Sequence, residues 1–386
     1  MRYITSTQLF SGTEFLANDT VLVLDNDNSV IDITIQEKVE VSNIEQFEGI
    51  ICPGFINTHC HLELSHLKGI IKQHTGIIDF GLNVIKHRND TGLELQLEAM
   101  LIADKEMQKN GIVAVGDISN STLSIAAKNQ SDLYYHTFVE LIALNPSRAN
   151  VVFNDGVKLA SEFERHHLSN SLAPHAPYSA SLELINQITN YCKAQQKPTS
   201  IHNQESEAEN DFFKYKSGNY LKLYEALNIS IDYFNATSKS SLQSISSSLN
   251  TDVNTLLVHN TFTAKKDIEI VQENHSNLYW CLCPNANLYI ENTLPDITLL
   301  QSSDCVLTLG TDSLASNSQL SIIEEINCIL KHQPHINLQT LLKAATYNGA
   351  KFLGIEKQFG LLEKNKNCGI NLIVGKAGKY SVKKLA

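Results

Sequence analysis

The 386-residue sequence holds no window close to the ~20 apolar residues that a membrane-crossing helix needs, so no membrane span is expected. It also lacks any run of Lys and Arg, any alternation of basic and aromatic residues, and any phosphate-cradling Gly-x-Gly-x-x-Gly. With a formal net charge of −11, these absences argue against a nucleic-acid partner, because phosphate affinity depends on clustered cations. Met1 to Phe10 has no basic patch leading into a long apolar stretch, so no secretory signal is read and a cytoplasmic location is expected. A disulfide framework is missing too. The eight cysteines are scattered, and Cys52, Cys281, Cys283 and Cys305 sit in strand-like contexts, which reads as buried free thiols in a reducing compartment. Cys281–Leu282–Cys283–Pro284 has neither the Pro-Cys-x-x-Cys order nor the preceding His-x-Glu of the nucleobase-editing zinc deaminases, and that site is excluded.

What is present suits a large core: 42% hydrophobic and 18% charged residues. From about residue 50 to 350, short β-branched runs alternate with longer helical patterns, the signature of βαβ units. Eight strands are expected: the run to His61, then Gly111–Ile118, Tyr134–Leu141, Ser171–Tyr178, Pro198–His202, Thr255–His259, Asn277–Leu282 and Asp304–Thr311. Leu97, Leu101 and Met107 lie near helical spacing before Gly111, which predicts a helix over Leu93–Asn110. Eight strands separated by helices most simply make an α/β fold of the (β/α)₈ TIM-barrel kind, here spanning 51–354. Arg2–Leu9, Val21–Asp25 and Val30–Ile35 read as strands without helical period, as do Asn371–Val374 and Tyr380–Val382 in the tail. Residues 1–50 and 355–386 are therefore expected to build one small composite β-sandwich. The long stretch from Asn203 to Asp252, rich in aromatics, is expected either to form a lid or to pack against the helix after Glu205.

The chemistry starts at Gly54–Phe55–Ile56–Asn57–Thr58, which runs into His59–Cys60–His61. On an extended strand side chains alternate faces, so the two imidazoles point one way and Cys60 the other. Neutral imidazole is the commonest ligand for Zn²⁺, and further candidates close expected strands downstream: His202, His259 and Asp312. In the barrel fold the ends of several strands supply the reacting groups. His66, His74, His87, His136, His166, His167, His275, His332 and His335 have no such context and read as ordinary residues.

Taken together, Pro53–Gly54–Phe55–Ile56–Asn57–Thr58–His59–Cys60–His61–Leu62–Glu63, Ala173–Pro174–His175–Ala176–Pro177–Tyr178–Ser179, His202–Asn203–Gln204–Glu205, His259–Asn260, Cys283–Pro284–Asn285–Ala286–Asn287 and Gly310–Thr311–Asp312–Ser313 resemble the amidohydrolase superfamily. Within it the resemblance is to the cytosine/adenosine-type deaminases and chlorohydrolases. It implies a barrel with a terminal β-sandwich and one divalent ion, zinc or alternatively iron, held by His59, His61, His202 and Asp312. A divalent ion lowers the pKa of a bound water to ~7, which supplies hydroxide at neutral pH. Asp312 can take the water's proton, and Glu205 can protonate a ring nitrogen as the adjacent carbon is attacked. The resemblance keeps His259 off the ion, orienting the water and the developing oxyanion. No lysine in Ser171–Ser179 could bridge a second ion, and Glu140 is the one carboxylate that leaves such an ion open.

Hydrolysis at an amidine-like ring carbon with loss of ammonia is the expected reaction. Leu62–Glu63–Leu64–Ser65–His66, Gly76–Ile77–Ile78–Asp79–Phe80 and Val84–Ile85–Lys86–His87–Arg88 look like the aminodeoxyfutalosine deaminase branch, which acts on a modified adenine nucleoside. The Trp-Leu and later Glu of the adenosylhomocysteine and methylthioadenosine deaminases are missing from this loop; the only Trp is Trp280. Glu63, Arg148 and His175 are the candidate contacts to a small-molecule substrate. A homodimer is compatible with the reading. The alternatives are a hydrolase acting on another cyclic amide, amidine or triazine ring, and a non-catalytic relative. Such relatives tend to lose a ligand, and here all four remain, with Glu205 and His259.

Overall fold

The β-branched runs at the N-terminus fold as β1 (Arg2–Leu9), β2 (Thr20–Leu24), β3 (Val30–Ile35) and β4 (Ile44–Pro53) in the computed structural model, which describes residues 1–386. The middle of the chain supplies β5 (Phe55–Cys60), β6 (Ile112–Ser119), β7 (Tyr134–Leu141), β8 (Ser169–Pro174), β9 (Thr199–Asn203), β10 (Thr255–His259), β11 (Leu278–Leu282) and β12 (Val306–Leu309). The tail adds β13 (Ile370–Lys376) and β14 (Lys379–Lys384).

Both chain ends share one six-stranded sheet in the order β14-β13-β4-β1-β2-β3. Antiparallel pairing of Ile370 with Pro53 and Ile373 with Ile50 ties the tail to the first fifty residues. Ile4, Leu9, Leu22, Leu24, Ile51 and Ile370 form the apolar layer beneath it. The expected sandwich is thus seen as a single sheet. A continuous strand to His61 is also not what forms. β4 stays with the terminal sheet through Pro53, and the chain crosses to β5 at Gly54, where a Cβ would meet the Cys368 carbonyl oxygen at 2.8 Å.

The middle strands make two parallel four-stranded sheets, β5-β6-β7-β8 and β12-β11-β10-β9. Every residue of β5, β9, β10 and β11 is buried, as expected for parallel strands covered on both faces. The helix at Leu93–Lys109 lies where the apolar spacing predicts it, with further helices at Ala149–Arg165, Leu182–Gln195 and Ile322–His332. The two sheets adjoin at two places. His202 N donates to His175 O at 2.9 Å, and Thr311 N and Asp312 N both donate to His59 O, at 3.0 and 3.1 Å. β8 ends at Pro174 rather than Tyr178, because Pro174 and Pro177 cannot donate to a ladder.

Asn203–Asp252 contains helices at Glu207–Tyr215, Tyr220–Ala226 and Ser241–Ile245. Phe212, Phe213, Tyr220 and Tyr224 pack with Tyr178 and Leu144 into a separate apolar cluster, which roofs one side of the site below. No helix is long and apolar enough to cross a membrane.

Candidate active site

His59 is the penultimate residue of β5 and His61 follows its last residue, so alternation turns both rings to one side. His202 on β9 and Asp312 just past β12 reach the same point from the other sheet. His61 Nε2 stands 3.1 Å from His59 Nε2 and 3.3 Å from His202 Nε2. Asp312 Oδ1 lies 3.5 Å from His59 Nε2 and 3.4 Å from His61 Nε2. Ligands ~2.0–2.2 Å from a tetrahedral ion stand roughly 3.3–3.6 Å from one another. Three of these four separations fall in that range and the fourth lies just below it, so the cluster approaches the spacing a divalent ion such as zinc requires.

The protonation states agree with that fit. His202 Nδ1–H donates to the His175 carbonyl at 2.7 Å, leaving its Nε2 as a lone pair. Burial holds the His61 ring down at about 4 and the His202 ring well below its ordinary value, so both are neutral at pH 7. Neutral rings whose lone pairs face one another across 3.3 Å repel unless a cation lies between them. Asp312 is oriented from behind: Ser316 Oγ donates to its other carboxylate oxygen.

The backbone around the site is bent in an uncommon way at four residues. Gln204, His259, Asn260 and Asp312 all have positive φ, between 47° and 76°, at or just after the ends of β9, β10 and β12. Such conformations cost of order 1–3 kcal/mol each and gather where a side chain must be aimed. Here they turn Glu205 and His259 inward beside the donor cluster. His259 Nδ1 pairs with Asn287 Oδ1 at 2.8 Å, so Nδ1 carries the hydrogen and Nε2 is free to accept. Nε2 stands 3.5 Å from Glu205 Oε2, while Tyr178 Oη donates to Glu205 Oε1 at 3.3 Å. Burial, with the nearby Asp312 charge, pushes the Glu205 carboxyl up to about 8, and it holds a proton at neutral pH.

Above the cluster opens a cavity of about 550 Å³, within the size range of small-molecule sites. His61, His202, Glu205, His259 and Asp312 line its floor, and Leu64, Ile77, Ile78, Leu223 and Ile229 are among its apolar walls. Arg148 and His175 border it as well, with His175 Nδ1 against Ser179 Oγ at 2.6 Å. Glu63 does not. Its carboxylate is buried, accepting from Ser121 Oγ at 2.9 Å and Asn120 N at 3.2 Å, so it braces the turn after β6 instead of facing the cavity. Glu140 lines the cavity with Oε2 on Asn120 Nδ2, and its Oε1 lies 3.7 Å from the already committed His202 Nδ1.

Sequence reasoning missed Tyr178, Asn287 and Ser316 as partners of Glu205, His259 and Asp312. Ser316 left no spacing signal. Tyr178 and Asn287 stood in the Ala173–Ser179 and Cys283–Asn287 motifs but carried no assigned role.

A model described as the amidohydrolase family matches residues 50–384. An adenosine deaminase of Helicobacter pylori is 26% identical over 385 residues, covering 93% of this chain and 89% of that protein. An aminodeoxyfutalosine deaminase of a Nitratiruptor species is 27% identical over 349 residues, covering 84% of this chain and 78% of that one. A crystal structure of Helicobacter pylori aminofutalosine deaminase with methylthio-coformycin superposes with a TM-score of 0.82 at 22% identity, over 97% of this chain and 93% of that one, a likeness of fold.

Proposed function

The chain belongs to the amidohydrolase family, and from that premise we propose that it is a metal-dependent deaminase of an adenine-type nucleoside of the aminodeoxyfutalosine kind. The observation that carries this is the convergence of four metal-type donors with the buried Glu205 carboxyl and an accepting imidazole on one cavity floor. His59, His61, His202 and Asp312 would hold one divalent ion, zinc or alternatively iron. When bound, the ion supplies Lewis acidity and an activated water.

The remaining steps belong to this chain's side chains. Glu205 delivers its proton to a ring nitrogen of the base, which makes the neighbouring carbon electrophilic. Water oxygen bonds to that carbon, the exocyclic C–N bond breaks, and ammonia leaves. His259 Nε2, with its ring fixed by Asn287, orients the water and the developing oxyanion. Asp312 takes one of the water's protons and passes it to the exocyclic amine, which leaves as ammonia, and the remaining hydroxyl proton returns to Glu205 as the ring carbonyl forms. Arg148 and His175, at the cavity wall, contact the sugar and its substituent. We read the two parallel sheets and their two meeting points as one (β/α)₈ barrel over 51–354, with residues 1–50 and 355–386 as a composite β-domain. Eight free buried thiols support a cytoplasmic setting.

A panel of zinc-loaded assays tests the proposal. Aminodeoxyfutalosine, 5'-deoxyadenosine and adenosine should release ammonia, one per substrate consumed. Chloride release from a chlorinated triazine, with none of the nucleosides deaminated, would move the chain to the chlorohydrolase alternative.

A further inference from the structure

The amides of Gln204 and Glu205 fall in a gap between β9, which ends at Asn203, and the helix that begins at Glu207. Gln204 has φ 47°, so the strand ladder cannot continue through it. Buried amides left without a partner are costly, and one side chain takes both. Glu209 Oε1 accepts from Gln204 N and Glu209 Oε2 from Glu205 N, each at 3.1 Å, with Glu209 itself fully buried. Ser206 caps the same helix by accepting Glu209 N at 3.3 Å. Ser206-x-x-Glu209 has the spacing of a capping box, in which the glutamate ordinarily returns to the cap residue's own amide. Here it reaches past the cap to the two residues before it.

Gln204 is secured at its side chain as well. Its Nε2 donates to Asn210 Oδ1 and Asp267 Oδ2, both at 3.0 Å, and its Oε1 accepts from Thr263 Oγ1 at 2.8 Å. The main chain of Glu205 is therefore referenced to two helices, those beginning at Glu207 and at Lys265. The carboxyl has only a single long contact from Tyr178 and one from His259. Its aim depends on where its backbone is held.

We propose that Glu209 is a positioning residue for the proton-transferring Glu205, acting through a two-oxygen clamp on the amides of Gln204 and Glu205. The inference rests on the deaminase reading for its kinetic consequence, and on geometry alone for the clamp. Misplacing a reacting group by about 1 Å can cost roughly 10²-fold in rate. Glu209→Gln keeps one acceptor oxygen and Glu209→Ala keeps none, so the loss should grow from the first to the second.

The test uses the zinc-loaded full chain with 5'-deoxyadenosine as probe. Glu209→Gln should lower kcat by roughly 10- to 100-fold with KM changed less than about threefold and metal content unchanged. In the Glu205→Gln background the same change should cost almost nothing further, because there is no proton to aim. A further loss of similar size in that background, or a loss that follows metal content, would make Glu209 a merely structural residue. Amide hydrogen exchange reads the clamp without any substrate. Glu209→Ala should accelerate exchange at Gln204 and Glu205 while β9 stays protected; unchanged exchange at those two amides overturns the proposal. Absence of ammonia from the wild type would instead count against the deaminase reading.

Discussion

Glu205→Gln separates proton transfer from everything else the site does. The amide is nearly isosteric: its oxygen can accept from Tyr178 Oη and its nitrogen can donate to His259 Nε2, the two contacts Glu205 makes now. Fold and metal content should survive. The amide cannot deliver a proton, and general acid–base catalysis contributes ~10²–10⁴-fold, so kcat should fall by at least ~10² with little change in KM. A second consequence appears in stability. The carboxyl titrates at about 8 in the folded chain against an ordinary value of 4.5, because burial disfavours its charge. Below pH 4.5 both states are protonated and the group contributes no difference. Between those values the unfolded chain releases a proton that the folded chain retains, so stability falls as pH rises, and the loss is complete above the folded value. The interval is worth up to about 5 kcal/mol. Gln carries no such loss. In chelator-treated protein, urea unfolding from pH 4.5 to 9 should therefore show Glu205→Gln gaining on the wild type as pH rises, and zinc, by offsetting the buried charge, should narrow the gap. A gap independent of pH would refute the buried neutral acid, and near-wild-type turnover would refute its catalytic role.

His61→Ala removes the donor nearest both other imidazoles and should leave chelated-and-reloaded protein with an empty site by elemental analysis, as should His202→Ala; full occupancy in both would sink the ligand assignment. Gly310→Ala would place a Cβ 2.8 Å from His59 Cβ and 2.9 Å from Cys281 Sγ, so His59 must shift, and zinc affinity measured by competition with a chelator should drop by roughly 10–100-fold. His259→Gln should keep its zinc while kcat falls by about 10²-fold or more, since the group acts on developing charge; loss of the ion instead would make His259 a ligand.

Much of the site was legible because its residues end strands that the apolar runs announce. Thr255–His259 and Tyr134–Leu141 fold over the residues expected, and period-two alternation sets the direction of His59 and His202 on their strands, whereas Asp312 lies past the end of β12 and is aimed by its positive φ. The clamp was harder to see. Ser206-x-x-Glu209 is a visible capping pattern, but only the left-handed Gln204 reveals that the glutamate reaches beyond the cap. Glu63 misled for the opposite reason: it lies two residues past the His-x-His pair, yet the turn after His61 points it at Ser121 and Asn120. The break at Gly54 escaped because the apolar end of β4, Ile50–Cys52, runs almost directly into Phe55 and Ile56 of β5, and composition alone does not say which sheet each joins.

We propose that one divalent ion, held by His59, His61, His202 and Asp312, drives deamination on this floor. Zinc titrated into chelated wild-type protein, with ammonia release from 5'-deoxyadenosine or aminodeoxyfutalosine measured at each point, tests it directly. Activity should be absent at zero zinc, rise linearly and break at one ion per chain, with His61→Ala flat throughout. Full activity without metal, a break at two ions, or a His61→Ala curve that overlays the wild type would contradict it.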